Sequence, residues 1–227
     1  MFESILNLFF PKICAGCHQL LLPQEDLICT RCRHQLPQTH HHKIPNNEAL
    51  QKFYGKVPVE FAAAFLFYHK KGIVQELIQN LKYKKQPQIG RCLGTWYGHE
   101  LQDLAPIQKF DVVIPVPLHA KRLKERGYNQ VAEFGKALAN SFGIVYHEQL
   151  LFRNTYSSTQ TKKNLLSRTA MAGQTRFEAL PKTTDENLHF LLVDDVLTTG
   201  STLEACAQAL LKIPGSKVSV VCMAMSA

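Results

Sequence analysis

Apolar residues recur along this chain with two different periods, and the switches between them outline its elements. Phe61 to Tyr68 is an apolar, aromatic-rich run, the pattern of a strand. Ile73, Leu77, Ile78 and Leu81 then fall at helical spacing, and a second helix is expected from Ile89 to about Leu104. Asp111 to Pro117 reads as a buried strand running into a loop, Val131 to Phe142 as an amphipathic helix and Ile144 to Phe152 as the next strand. After a polar stretch, His189 to Val193 predicts a strand, Thr202 to Leu211 a helix and Val218 to Met223 a last strand. Such alternation predicts an α/β fold: a parallel sheet with helices on both faces.

The chain of 227 residues has room for one such domain, commonly ~100 to 150 residues, and a small appendage. The appendage announces itself at the N-terminus. Four of the seven cysteines stand as Cys14-x-x-Cys17 and Cys29-x-x-Cys32. Two residues between cysteines let one turn aim both sulfurs at a single ion, and a second such turn completes a tetrahedral zinc site. Thiolate ligation contributes on the order of 10 kcal/mol to a segment too small to bury its own core. With sulfur at all four positions, the zinc would be structural. A disulfide pair, a thioredoxin-like redox motif and unrelated thiols are the competing readings.

From about Gln38 to Pro58 the chain turns polar and reads as a linker, in which His40-His41-His42 is a solvated run rather than a ligand set. The expected organisation is therefore a zinc-binding four-cysteine domain and linker over 1–45 and an α/β domain over 56–227. Met1 to Phe10 is apolar, but it lacks a basic n-region and a small-residue cleavage site, and reads as a short amphipathic helix. No run approaches the ~20 apolar residues of a membrane span, and a secretory route would oxidise the cysteines; the expected compartment is the cytoplasm.

Charge narrows the ligand class. Lys and Arg number 26 against 18 Asp and Glu, which favours anionic partners: nucleotides, polyphosphates, nucleic acid or acidic lipid. Basic residues gather in Lys82-Tyr83-Lys84-Lys85, in Lys121-Arg122-Leu123-Lys124-Glu125-Arg126 and in Lys162-Lys163, each of which also reads as a solvated face.

The most specific signal is Asp194-Asp195-Val196-Leu197-Thr198-Thr199-Gly200-Ser201-Thr202. It follows Leu191-Leu192-Val193, which puts the carboxylates at the exit of a strand, where parallel sheets bind their ligands. An acidic pair supplies acceptors for vicinal ribose hydroxyls, or holds a metal through water. Gly200 allows a tight turn into a helix whose first N–H groups, backed by the helix dipole, suit a monophosphate. Hydroxyls of Thr198, Thr199, Ser201 and Thr202 add donors. Helix capping and ordinary turn chemistry are the rival reading. Neither a P-loop Lys-Ser/Thr pair nor Gly-x-Gly-x-x-Gly is present, which argues against a nucleoside triphosphatase or dinucleotide enzyme.

Leu191 to Thr202 resembles the phosphoribosyl pyrophosphate signature of type I phosphoribosyltransferases. The wider arrangement resembles the ComF family: the four-cysteine head, Leu81-Lys82-Tyr83, Pro115-Val116-Pro117-Leu118-His119 with Arg122, Arg126-Gly127-Tyr128-Asn129-Gln130, then Arg153, Thr155, Gln160 and Arg168. The resemblance implies that Asp194 and Asp195 hold the ribose hydroxyls as the catalytic pair and that Thr198 to Thr202 hold the 5′-phosphate. It implies a pyrophosphate loop at Val116, Pro117, Leu118 and His119, with Arg122 and Arg126 beside it, and a hood over Arg153 to Arg168 from which Lys162, Lys163 or Arg168 reaches the pyrophosphate. Met171-Ala172-Gly173-Gln174 departs from the further Arg and Asn usual in that family.

As an enzyme, the chain is expected to transfer ribose 5-phosphate from phosphoribosyl pyrophosphate to a nitrogen nucleophile with Mg2+, by electrostatic stabilisation and without a nucleophilic side chain. Nucleobase salvage is one form of that activity, although Phe152, Tyr156 and Tyr128 alone define no base pocket. The rival is a binding module, since the family is linked to natural competence and the handling of incoming single-stranded DNA. On that reading Phe67, Tyr68, Lys70, Lys82, Tyr83 and Lys84 would stack bases and contact phosphates, and the zinc head would dock a DNA-uptake helicase or another partner of the uptake machinery.

Overall fold

The apolar runs become strands covered on both sides, as their lack of alternation requires. The computed structural model describes residues 11–102, 109–155 and 175–226. The strands are β1 (Ala62–Tyr68), β2 (Val112–Pro115), β3 (Val145–Tyr146), β4 (Leu151–Thr155), β5 (Thr175–Ala179), β6 (His189–Leu197) and β7 (Lys217–Ser226). Five of them form one parallel sheet in the order β1-β7-β6-β2-β3, and β4 and β5 pair separately as an antiparallel ribbon. The helices are α1 (Thr30–Gln35), α2 (Glu48–Gln51), α3 (Ile73–Tyr83), α4 (Gln88–Leu101), α5 (Ala120–Arg126), α6 (Ala132–Phe142) and α7 (Ser201–Leu210).

Successive residues of one strand enter opposite layers. Leu191, Val193 and Val221 pack with Leu77 and Leu81 of α3, Leu93 and Tyr97 of α4, and Phe134 and Leu138 of α6. Leu192, Val220 and Cys222 pack with Phe53, just past α2, and with Leu203, Cys206 and Leu210 of α7. The expected parallel α/β sheet with two helical layers is therefore the observed one.

Three stretches differ from the sequence reading. Strand β6 runs four residues beyond Val193, because its neighbour β7 extends to Ser226 and pairs with it through Leu197 opposite Met225. The single strand expected from Ile144 to Phe152 is two: Val145–Tyr146 closes one edge of the sheet, and Leu151–Thr155 pairs with Thr175–Ala179. The segment from Gln38 to Pro58 is docked rather than loose. It covers β1, the opposite edge of the sheet, whose free N–H and C=O groups need partners. Thr39 Oγ1 donates to the Ala64 carbonyl, and Asn47 Nδ2 donates to the carbonyls of His41, Ile44 and Ala62. His41 and His42 are buried beneath this cover, not solvated. Its polar composition serves the edge strand's backbone.

The four-cysteine head rests on α3. Asn80 Nδ2 donates to the Ala15 carbonyl at 2.8 Å, and Cys14, Ala15, Ile28, Cys32 and Leu36 share one apolar cluster with Leu77 and Leu81. Gly16 allows the approach, since a Cβ there would lie 2.7 Å from Cγ2 of Ile73. The helix expected at Met1 to Phe10 and the hood residues Tyr156, Gln160, Lys162, Lys163 and Arg168 lie outside the described residues, as do Met171 to Gln174.

Candidate functional site

All five strands of the sheet point the same way, so their carboxyl ends share one edge. From β2 the chain crosses through α6 to β3 on one side, and from β6 through α7 to β7 on the other. Adjacent β2 and β6 thus flank a topological switch point, where parallel sheets open a crevice for ligands.

The turn from β6 into α7 occupies that edge. Gly200 sits in the left-handed region at φ +82° and begins α7 with no side-chain cap. Thr198, Thr199, Ser201 and Thr202 are exposed around it, and the Thr199 and Ser201 hydroxyls lie 3.2 Å apart. Helix geometry leaves the first-turn N–H groups of α7 without intrahelical acceptors. Val196 and Leu197 are the last residues of β6, and Leu197 is buried in the α7 layer.

The two carboxylates part company. Asp195 faces the α3 and α6 layer, where both its oxygens are engaged: Lys82 Nζ donates to Oδ1 at 2.8 Å and Gln130 Nε2 to Oδ2 at 2.7 Å. Arg126 donates to Gln130 Oε1 at 2.6 Å and lies 5.3 Å from the Tyr83 ring centroid. The Tyr128 hydroxyl donates to the Leu81 carbonyl, and Asn129 Nδ2 to that of Val116. These bonds fix the end of α3 and the end of β2 to one network. Lys82 and Gln130 belong to the motifs quoted above, but nothing in their own sequence surroundings marks them as partners of Asp195.

Asp194 faces the other layer, beside Cys206 and its register partner Cys222. Burial, reinforced by the Asp195 carboxylate, pushes its carboxyl from an ordinary 3.8 up to about 8, against the pull of the Asp195 N–H and Lys82. The folded chain therefore keeps a proton that the unfolded chain releases above about pH 4. Stability of the ligand-free protein should fall as pH rises from about 4 to about 8, and Asp194→Asn should flatten that slope. Urea denaturation of both proteins at pH 5 and pH 8 checks it.

On the β2 side, Val116 is buried and Pro117, Leu118 and His119 are half-buried. His119 Nδ1 accepts from the Lys121 N–H at 3.1 Å and so caps α5. A cleft of ≈ 340 Å³ opens between the end of α3 and α5, lined by Lys82, Tyr83, Lys85, Arg122, Glu125 and Arg126. Arg153, on β4, lies 5.6 Å from the Phe177 ring centroid. The residues considered for base stacking do not form one platform: Phe67 packs on the α7 layer and Tyr68 on the α3 layer, while Tyr83 is exposed.

In the head, the Sγ atoms of Cys14, Cys17, Cys29 and Cys32 all lie within 4.8 Å of one another, and those of Cys17 and Cys29 are 3.7 Å apart. Tetrahedral zinc with Zn–S bonds of ~2.3 Å needs sulfur separations of ~3.8 Å. The cluster therefore suits a metal such as zinc. All four cysteines are free thiols rather than disulfides. Although burial raises the Cys14 thiol, N–H donors from Cys29, Cys17 and Gly16 bring it down to about 7. Among the described residues no helix is long and apolar enough to cross a membrane.

No protein-family model matches the chain. It is 30% identical over 151 residues to the DNA utilization protein YhgH of Salmonella typhimurium, covering 65% of each chain. It is 28% identical over 215 residues to the protein of that name from Escherichia coli O157:H7, covering 93% of this chain and 89% of the relative. Competence protein ComFC of Bacillus subtilis is 26% identical over 145 residues, 64% of this chain and 56% of that one. Among solved structures, an adenine phosphoribosyltransferase is similar at 15% identity and a TM-score of 0.41, over 63% of this chain and 72% of that one. A glutamine phosphoribosylpyrophosphate amidotransferase from Bacillus subtilis is similar at 17% identity and a TM-score of 0.43, over 64% and 30%.

Proposed function

We propose that this chain is a ComF-like protein and that it binds phosphoribosyl pyrophosphate or a related ribose 5-phosphate ligand at the switch point between β2 and β6. The observation that carries the reading is the left-handed turn at Gly200, which opens α7 five residues after Asp195. The 5′-phosphate would sit on the N–H groups and hydroxyls of Thr198 to Thr202, and the ribose hydroxyls would meet Asp195, on the face of β6 toward Lys82 and Gln130, while Asp194 lies on the opposite face. Val116 to His119, Arg122 and Arg126 would face the pyrophosphate, and four cations against one carboxylate in the adjoining cleft support that polarity. Magnesium bound with the ligand would offset pyrophosphate charge, and the carboxylates can hold it through water.

If turnover occurs, a nitrogen lone pair attacks the anomeric carbon, the bond to the pyrophosphate oxygen breaks with its electron pair, and the nucleophile loses a proton. The protein's part is to hold both ends of the ligand and to stabilise the departing charge. Pyrophosphate release with a panel of bases, compared with an Asp194→Asn/Asp195→Asn control, separates an enzyme from a binding protein.

Binding itself is tested by calorimetric titration of ribose 5-phosphate. Gly200→Val forces a β-branched side chain into a left-handed turn and tilts the phosphate-facing N–H groups, so affinity should fall by about tenfold or more. Equal affinities for variant and wild type would move the phosphate elsewhere.

A second reading, nucleic-acid handling, is supported by a separate groove of ≈ 1200 Å³ between α1 and α4, lined in part by Arg33, His34, His40, Trp96 and His99. It accords with relatives named for DNA utilization and competence. Titration of a fluorescent oligonucleotide at several salt concentrations tests it; a flat response at low salt ends it.

A further inference from the structure

A ribose ligand approaching Asp195 finds both of its oxygens taken, one by Lys82 and one by Gln130. The two partners differ in kind. Gln130 is buried and held from behind by Arg126, whereas Lys82 is a flexible cation about one-fifth exposed in its side chain. Its ammonium belongs to two places at once, since Lys82 also lines the cationic cleft with Lys85, Arg122 and Arg126. An alkyl stem of four carbons lets the ammonium swing between them without moving α3.

We propose that Lys82 is a specificity-determining residue: it blocks Asp195 in the ligand-free protein and is drawn into the cleft by a second anionic group on the ligand. This rests on the ribose-phosphate reading above. A ligand with only a 5′-phosphate must compete with Lys82 for the carboxylate and offers the displaced ammonium nothing. A ligand that also carries a pyrophosphate on the anomeric carbon gives the ammonium a new partner among the cleft's other cations. The site therefore prefers sugars phosphorylated at both ends, and the preference comes from the exchange of one lysine between two anions.

The test compares the dissociation constants of ribose 5-phosphate and phosphoribosyl pyrophosphate, both with magnesium, for wild type, Lys82→Met and Lys82→Arg. Lys82→Met keeps the length of the side chain and removes its charge. It should bind ribose 5-phosphate as well as wild type or better and phosphoribosyl pyrophosphate about tenfold more weakly, while Lys82→Arg retains most of the preference. A purely structural lysine would shift both ligands by one common factor, and that result overturns the proposal while leaving the ribose-phosphate site standing. Wild type that binds neither ligand overturns both. Should Lys82→Met not fold, amine acetylation of wild type read by mass spectrometry decides: magnesium pyrophosphate should slow labelling of Lys82, and an unchanged rate counts against the exchange.

Discussion

Replacing Cys14 and Cys29 together by Ser should unfold residues 11–36 and lower the thermal midpoint of the whole chain. The apolar residues of the head are few, with Ala15, Ile28 and Leu36 buried beside the cysteines themselves. Metal thiolate ligation, worth about 10–16 kcal/mol in comparable small sites, would be its main support. The head is also continuous with the core through Asn80 and the Gly16–Ile73 contact. If only about 3–5 kcal/mol of the ligation reaches the sheet domain, the midpoint falls by on the order of 10 °C, because each kcal/mol moves a chain of this size by ~2–4 °C. Calorimetry with metal analysis checks both halves. Wild type should carry about one zinc per chain, and an unchanged midpoint in the double variant would contradict a structural metal.

Asp195→Ala should cost about 2–4 kcal/mol even without ligand, because it strips the acceptor from the Lys82 ammonium and the buried Gln130 amide at once. The loss would fall where Arg122, Arg126 and Lys85 already concentrate positive charge. Asp195→Asn, which keeps an acceptor oxygen, should lose less. Lys82→Met should also lose less, since Gln130 still answers the remaining carboxylate. Urea midpoints of these variants and of the Asp195→Ala/Lys82→Met double variant form a cycle whose coupling energy should be about 1–3 kcal/mol. Additive losses would mean that the short contact contributes no net stability.

The sheet was legible because its strands are apolar without interruption and its helices repeat at their own period. The cysteine cluster was legible because its spacing is local. What escaped the sequence is contact between distant segments. Asp194 and Asp195 break the apolar run that marks β6, yet the strand continues through them, held by β7 on its flank. Adjacent carboxylates that read as a pair of acceptors consequently face opposite layers. Thr39 and Asn47 look like linker residues until the edge of β1 is placed beside them. Lys82 stands 113 residues from Asp195, and no periodicity relates the two.

A crystal soaked with ribose 5-phosphate tests the central claim most directly. The phosphate should be found on the N–H groups of the first turn of α7, within reach of the Thr199 and Ser201 hydroxyls, with the sugar turned toward β6. Phosphate density confined to the cleft of Arg122 and Arg126, or none at the Gly200 turn in a crystal whose turn is open to solvent, would contradict it.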